Sequence, residues 1–153
     1  MPNTQIIITE GQSIVTFNNV SASYQSAFIR DVFAEAAEAG INIDMIAQSP
    51  ATSDKISFGF TFSDDDMPKL LTIINSRGGD RAHPLINCGN VKITVKSRDM
   101  VTSTGFASRV FDVLRKSDCL PLLVTTGLDE ISLLVYESAH ADLERELKGV
   151  FAS

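Results

Sequence analysis

The sequence predicts an α+β chain of two βαββαβ repeats, each an antiparallel sheet with its helices on one face, the first repeat nested inside the second. Three observations lead there. A helical pattern occurs twice, as Phe28-x-x-x-Val32-Phe33 and as Phe106-x-x-x-Val110-Phe111. Each copy lies between runs of strand-like alternation. Finally, the second copy runs out of chain before its last strand, while an apolar strand at residues 5–9 has no repeat of its own.

Residues 5–9, carrying Ile6, Ile7 and Ile8, read as an opening strand, and residues 13–18 as the first strand of repeat one. Residues 21–26 are polar and rich in helix-capping types, so they read as a loop. In the helix that follows, Phe28, Val32, Phe33 and Ala36 share one face, and Gly40 ends it. Residues 41–48 read as extended. Ile56, Phe58, Phe60 and Phe62 then alternate with Ser57, Gly59 and Thr61, the period-2 signature of a strand with a buried face. Asp64, Asp65 and Asp66 open a helix over residues 67–77, where carboxylates complement the dipole. Gly78-Gly79 stops it, and residues 84–87 supply a fourth strand.

Repeat two follows the same order. Residues 91–96 are a strand, residues 97–104 a polar loop, and Phe106, Val110, Phe111 and Leu114 one helical face. Strands follow at residues 120–126 and 131–135. The final helix, residues 139–151, places Leu143, Leu147, Val150 and Phe151 together. The economical topology gives repeat one residues 12–90 and repeat two residues 91–153, completed by the strand at 5–9.

The composition excludes several functions. The 153 residues are 44% hydrophobic and 21% charged, typical of a soluble globular protein, and carry a net charge of −6. An acidic balance opposes nucleic-acid binding, which needs clustered Lys and Arg. No apolar run nears the ~20 residues of a bilayer span, and the start lacks a basic, then apolar, leader, so no membrane is expected and the location is cytoplasmic. Cys88 and Cys119 read as free, mostly buried thiols of a reducing compartment. His83 and His140, in polar contexts, read as solvated. No C-x-x-C, G-x-x-x-x-G-K or G-x-G-x-x-G pattern is present, and no nucleophile–base constellation emerges; neither cofactor nor metal is expected.

Two segments resemble a known family. Gly40-Ile41-Asn42-Ile43-Asp44-Met45-Ile46-Ala47-Gln48 is similar to the stretch after the first helix of the first ACT repeat in aspartokinases. Met100-Val101-Thr102-Ser103-Thr104-Gly105-Phe106, with the helix after it, resembles the Met-x-x-Ser-x-Gly loop of the second repeat. The resemblance runs from about Ile6 to Phe151. It implies ferredoxin-like repeats, no catalysis by this chain, an amino-acid effector such as lysine or threonine, a homodimer, and a kinase domain or subunit as partner.

A free amino acid needs N–H donors for its carboxylate and an acceptor for its ammonium. Helix N-termini supply such donors, and glycine there permits close approach. The expected effector residues are therefore Gln25, Ser26 and Ala27 with Asn42, Ile43 and Asp44 in repeat one, and Met100, Ser103, Thr104, Gly105 and Phe106 in repeat two. This chain departs from the family pattern in both. Ala27 replaces the glycine of repeat one, whose Asp-x-Pro-Gly-like turn is missing. Leu120-Pro121-Leu122 stands in repeat two where Asn42-Ile43-Asp44 stands in repeat one. The competing expectation is a dimerisation or interaction module that binds no ligand.

Overall fold

The computed structural model describes residues 3–78 and 83–151. In chain order the elements are β1 (Thr4–Ser21), α1 (Ala22–Glu38), β2 (Ile46–Gln48), β3 (Lys55–Ser63), α2 (Met67–Ser76), β4 (Leu85–Ser97), α3 (Phe106–Lys116), β5 (Leu123–Thr126), β6 (Glu130–Tyr136) and α4 (Glu137–Phe151). Single 3-10 turns, Asp64–Asp66 and Arg98–Val101, precede α2 and α3. Two compact units result: an inner one, Gly11–Cys88, and an outer one from Gly89 onward joined by the residues up to Glu10.

In the inner unit the strand order is β2-β3-β1-β4. β1 and β3 pair antiparallel with Val15 opposite Phe60 and Phe17 opposite Phe58, which puts their large apolar side chains on one face. Onto that face α1 lays Phe28, Ile29, Val32 and Ala36, and α2 lays Leu70 and Ile74. Phe33 meets Phe60 edge-on at 5.1 Å, and Phe17 meets Phe28 likewise at 5.3 Å, geometry that aromatic quadrupoles favour.

The outer unit repeats the order as β1-β4-β6-β5. β4 and β6 pair with Val91 opposite Val135, Ile93 opposite Leu133 and Val95 opposite Ile131. These residues form one core with Phe106, Val110, Val113 and Leu114 of α3 and Leu143, Leu147 and Phe151 of α4. Ile6 and Ile8 pack against the same core, and the Thr4 hydroxyl donates to Ser97 Oγ at 2.9 Å. Both units thus have the ferredoxin-like strand order, and the strand that completes the outer one comes from the N-terminal end of the chain. The nested α+β architecture expected from the sequence is the one observed.

Local differences have local causes. The runs at 5–9 and 13–18 are one strand, as are those at 84–87 and 91–96. Gly11 (φ 66°) and Gly89 (φ 71°) take up left-handed backbone within the strands, so their turn-forming tendency is absorbed without a reversal. Of the loop expected at 21–26, Ser21 ends β1 and residues 22–26 are the first part of α1. A bulge between Phe17 and Val20, with Asn19 at φ 55°, re-aims the end of β1 so that Ser21 leads directly into the helix. Of residues 41–48 only Ile46–Gln48 is regular strand, and the later strand begins at Leu123, leaving Leu120 exposed. Phe111, expected on the buried face of its helix, is 47% exposed, and Val113 takes the inward position. His140 is only 19% exposed and lies 3.5 Å from Glu144.

Candidate functional site

The start of α1 is held from several sides. The amide of Ala22 donates to the Asp54 carbonyl at 2.9 Å. The Ser21 hydroxyl donates to Asp54 Oδ2 at 3.3 Å, and Tyr24 stacks on Phe28 while donating its hydroxyl to the Gly78 carbonyl at 2.9 Å. One turn into the helix, Gln25 occupies the same face as Phe28, Ile29, Val32 and Ala36. It is 2% exposed, and neither its Nε2 nor its Oε1 has a hydrogen-bond partner among the described residues. Such an arrangement is destabilising by about 1–3 kcal/mol in an ordinary core.

Gln25 lines a cavity of about 320 Å³, together with Ala22, Ser26, Ile29, Gln48, Ala51, Ile56 and Phe58. That volume lies at the lower end of the range of small-ligand sites. Among the described residues the lining is apolar apart from Gln25, Ser26 and Gln48, and none of it is ionisable. A second hollow of about 460 Å³ lies alongside, sharing Ile56 and lined also by Asn18, Asn19, Ser49, Pro50, Thr52, Lys55 and Ser57.

Of the residues singled out from the sequence, Gln25 and Ser26 meet at this cavity. Ala27 is helical and exposed. Asn42 and Asp44 are exposed, Ile43 packs against the inner core, and none of the three is in the cavity lining. Their segment runs along β3 through backbone bonds, Asp44 N–H to the Thr61 carbonyl at 3.0 Å and Thr61 N–H to the Met45 carbonyl at 3.0 Å. The Thr61 hydroxyl accepts from the Met45 amide at 2.9 Å. Sequence reasoning missed Ala22, Ile29, Gln48, Ala51, Ile56 and Phe58 as lining. Gln25 heads an otherwise apolar helical stripe, but that is visible only once α1 is known to start at Ala22.

The residues of repeat two belong to the outer unit. The Ser97 hydroxyl accepts from the Asp99 amide at 3.3 Å and starts the turn that carries Met100, which packs on the outer core. The amide of Ser103 donates to the Asp99 carbonyl at 2.8 Å. Ser103, Thr104 and Gly105 are exposed, and Gly105 adopts φ 86° immediately before α3. Phe106 is buried against Phe151 with ring centroids 4.8 Å apart. The Arg109 guanidinium covers that second ring at 4.5 Å and donates to the Val150 carbonyl at 2.9 Å. Among the described residues no group of three or more His, Cys, Asp or Glu side chains is placed to hold a metal ion, and no helix is long and apolar enough to cross a membrane.

Two tandem ferredoxin-like units, one completed by the other's N-terminal flank, define the class: the fold of the regulatory region of aspartate kinases. The chain superposes on the ligand-free regulatory subunit of aspartate kinase from Thermus thermophilus with a TM-score of 0.84 and 15% identity, covering 95% of this chain and 96% of that one. A structure of aspartokinase alpha and beta subunits matches with a TM-score of 0.80 and 21% identity, over 97% of each chain. Escherichia coli aspartokinase III in complex with lysine and aspartate, in its T-state, gives a TM-score of 0.67 at 19% identity over 95% of this chain and 32% of that one. In sequence, the chain is 27% identical to the aspartokinase of Geobacillus stearothermophilus over 123 residues, 80% of this chain and 30% of the relative. It therefore spans less than a third of that relative's length. No family model matches the sequence.

Proposed function

We propose that the chain is a regulatory module that binds a free amino acid and transmits its presence to an aspartate-kinase catalytic partner. The carrying observation is the likeness to a separate regulatory subunit over nearly the full length of both chains. Lysine and threonine are the first candidate effectors: one neighbour was crystallised with lysine and aspartate. The cavity beside α1 supplies a volume that a small amino acid fills. In this reading the module works in the cytoplasm as a homodimer, beside or within a kinase, and performs no chemistry of its own.

A ligand that binds only the folded chain raises its melting temperature by mass action. Titrating the chain with lysine, threonine and other amino acids, by melting and by calorimetry, tests the reading. Binding of any of them at millimolar concentration or below supports it, and silence from all of them sinks it. A second reading, a ligand-free interaction module, is favoured by one observation. Residues 22–26 are wound into α1, so the backbone there is not a free loop. Co-purification with a kinase chain, unaffected by any amino acid, is the result that reading expects.

A further inference from the structure

We propose that the start of α1, residues 22–26, is a two-state segment: wound as seen here, and able to open while the rest of the inner unit stays folded. Gln25 favours the opened form and Tyr24 the wound one. The device rests on the packing of α1 alone, so it stands or falls independently of any amino-acid effector.

Three observations carry it. Gln25 stands on the stripe that Phe28, Ile29, Val32 and Ala36 continue, where an apolar residue would pack without penalty. Its amide is covered, at 2% exposure, and neither Nε2 nor Oε1 has a hydrogen-bond partner among the described residues. Buried amides are ordinarily bonded, so the wound form carries a penalty that opening to water removes. Second, this end of the helix is weakly fastened from within. Ser21 makes no side-chain cap bond, its hydroxyl being turned to Asp54 Oδ2 at 3.3 Å and to Ser23 Oγ at 3.1 Å. The first turn also lacks an acidic residue to complement the helix dipole. Third, the segment is closed by contacts from outside the helix. The Ala22 amide donates to the Asp54 carbonyl, and the Tyr24 hydroxyl donates at 2.9 Å to the carbonyl of Gly78, 54 positions away and just past α2.

Opening gives up those two bonds and the Tyr24–Phe28 stack. It returns hydration to the Gln25 amide and leaves Phe28, Ile29, Val32 and Ala36 to anchor the remaining helix. Segments with few buried apolar contacts occupy the low-stability end of a fold. Any binding event that favours one of the two forms then shifts the balance between them.

Native-state hydrogen exchange of the full chain, followed amide by amide at low denaturant, tests the proposal. The helical amides of residues 26–29 bond the carbonyls of 22–25 and report on the segment, while those of 32–36 report on the rest of α1. Residues 26–29 should exchange about tenfold faster than 32–36, with a shallower denaturant dependence, the signature of local opening. Gln25→Leu should slow them about tenfold, and Tyr24→Phe should speed them several-fold. Equal protection along α1 in the wild type overturns the proposal. Unchanged exchange in Gln25→Leu or in Tyr24→Phe overturns it too, since neither side chain would then set the balance. The wild-type profile decides local opening even if a variant fails to fold.

Discussion

Cys119 is partly buried beside Asp118, and burial first, then that carboxylate, push its thiol pKa up. Cys88 is exposed on β4. Since the thiolate is the reactive species, iodoacetamide at pH 8 should modify Cys88 several-fold faster than Cys119, as peptide mass spectrometry over a time course would read. Equal rates would contradict the burial described. Gly105 is a second case. At φ 86° it occupies backbone that L-residues enter at a penalty of about 1–2 kcal/mol, although nothing lies within 4 Å of where a Cβ would stand. Gly105→Ala should therefore lower stability by about 1 kcal/mol, measured by denaturant titration, through strain alone. At this scale the sequence was partly legible. A glycine before a helix announces itself, but the burial of Gln25 depends on α1 starting at Ala22, and that follows from a bulge no local pattern reveals.

Helix α4 carries a charge device along one side. Glu144 accepts from Lys148 Nζ at 2.5 Å and lies 3.5 Å from His140. The Lys148 hydrogen bond holds its carboxyl below the usual range, aided by the charges of Lys148 and His140 and opposed by desolvation. A depressed carboxylate contributes stability above its unfolded pKa of about 4.3 and loses it as pH falls through the lower folded value. Melting of wild type and Glu144→Gln should therefore differ at pH 6 and converge toward pH 3. A difference that persists at pH 3 would rule the ion out as its source. In the inner unit, Thr61 is fully buried and fastens the segment before β2 through the Met45 amide. Thr61→Val keeps the shape and orphans that donor, so it should destabilise by about 1–3 kcal/mol. The elements most legible in advance were those with an unbroken period: β3, with alternating Phe and small residues, and the helix ending at Phe151. The long strands were not. Gly11 and Gly89 read as breaks in the sequence, and only pairing with neighbours shows the chain passing through them.

For the molecule as a whole, the nested path makes a direct prediction. Removing residues 3–10 takes away one strand of the outer unit and the cover that Ile6 and Ile8 give its core. The Phe106–Phe151 cluster should then lose its dispersed NMR signals, while the Phe17–Phe60 cluster of the inner unit keeps them. Retention of both sets would show that the strand is dispensable. This level was the most legible from the sequence, because a count of strands left one repeat short and one segment over. The cavity was the least legible, since it depends on Gln48, Ala51 and Ile56 meeting α1 across a turn with residues in left-handed conformation, Ser53 and Asp54.

The hydrogen bond from Thr4 to Ser97 joins positions 93 apart. On the ribosome, then, the first strand emerges long before any partner it will have in the outer unit, and everything the inner unit needs is translated in between. The inner unit should therefore close first, with residues 4–10 left without their outer-unit neighbour until β4 is made. Such a distant closure is slow to form and vulnerable to intermolecular pairing while it waits.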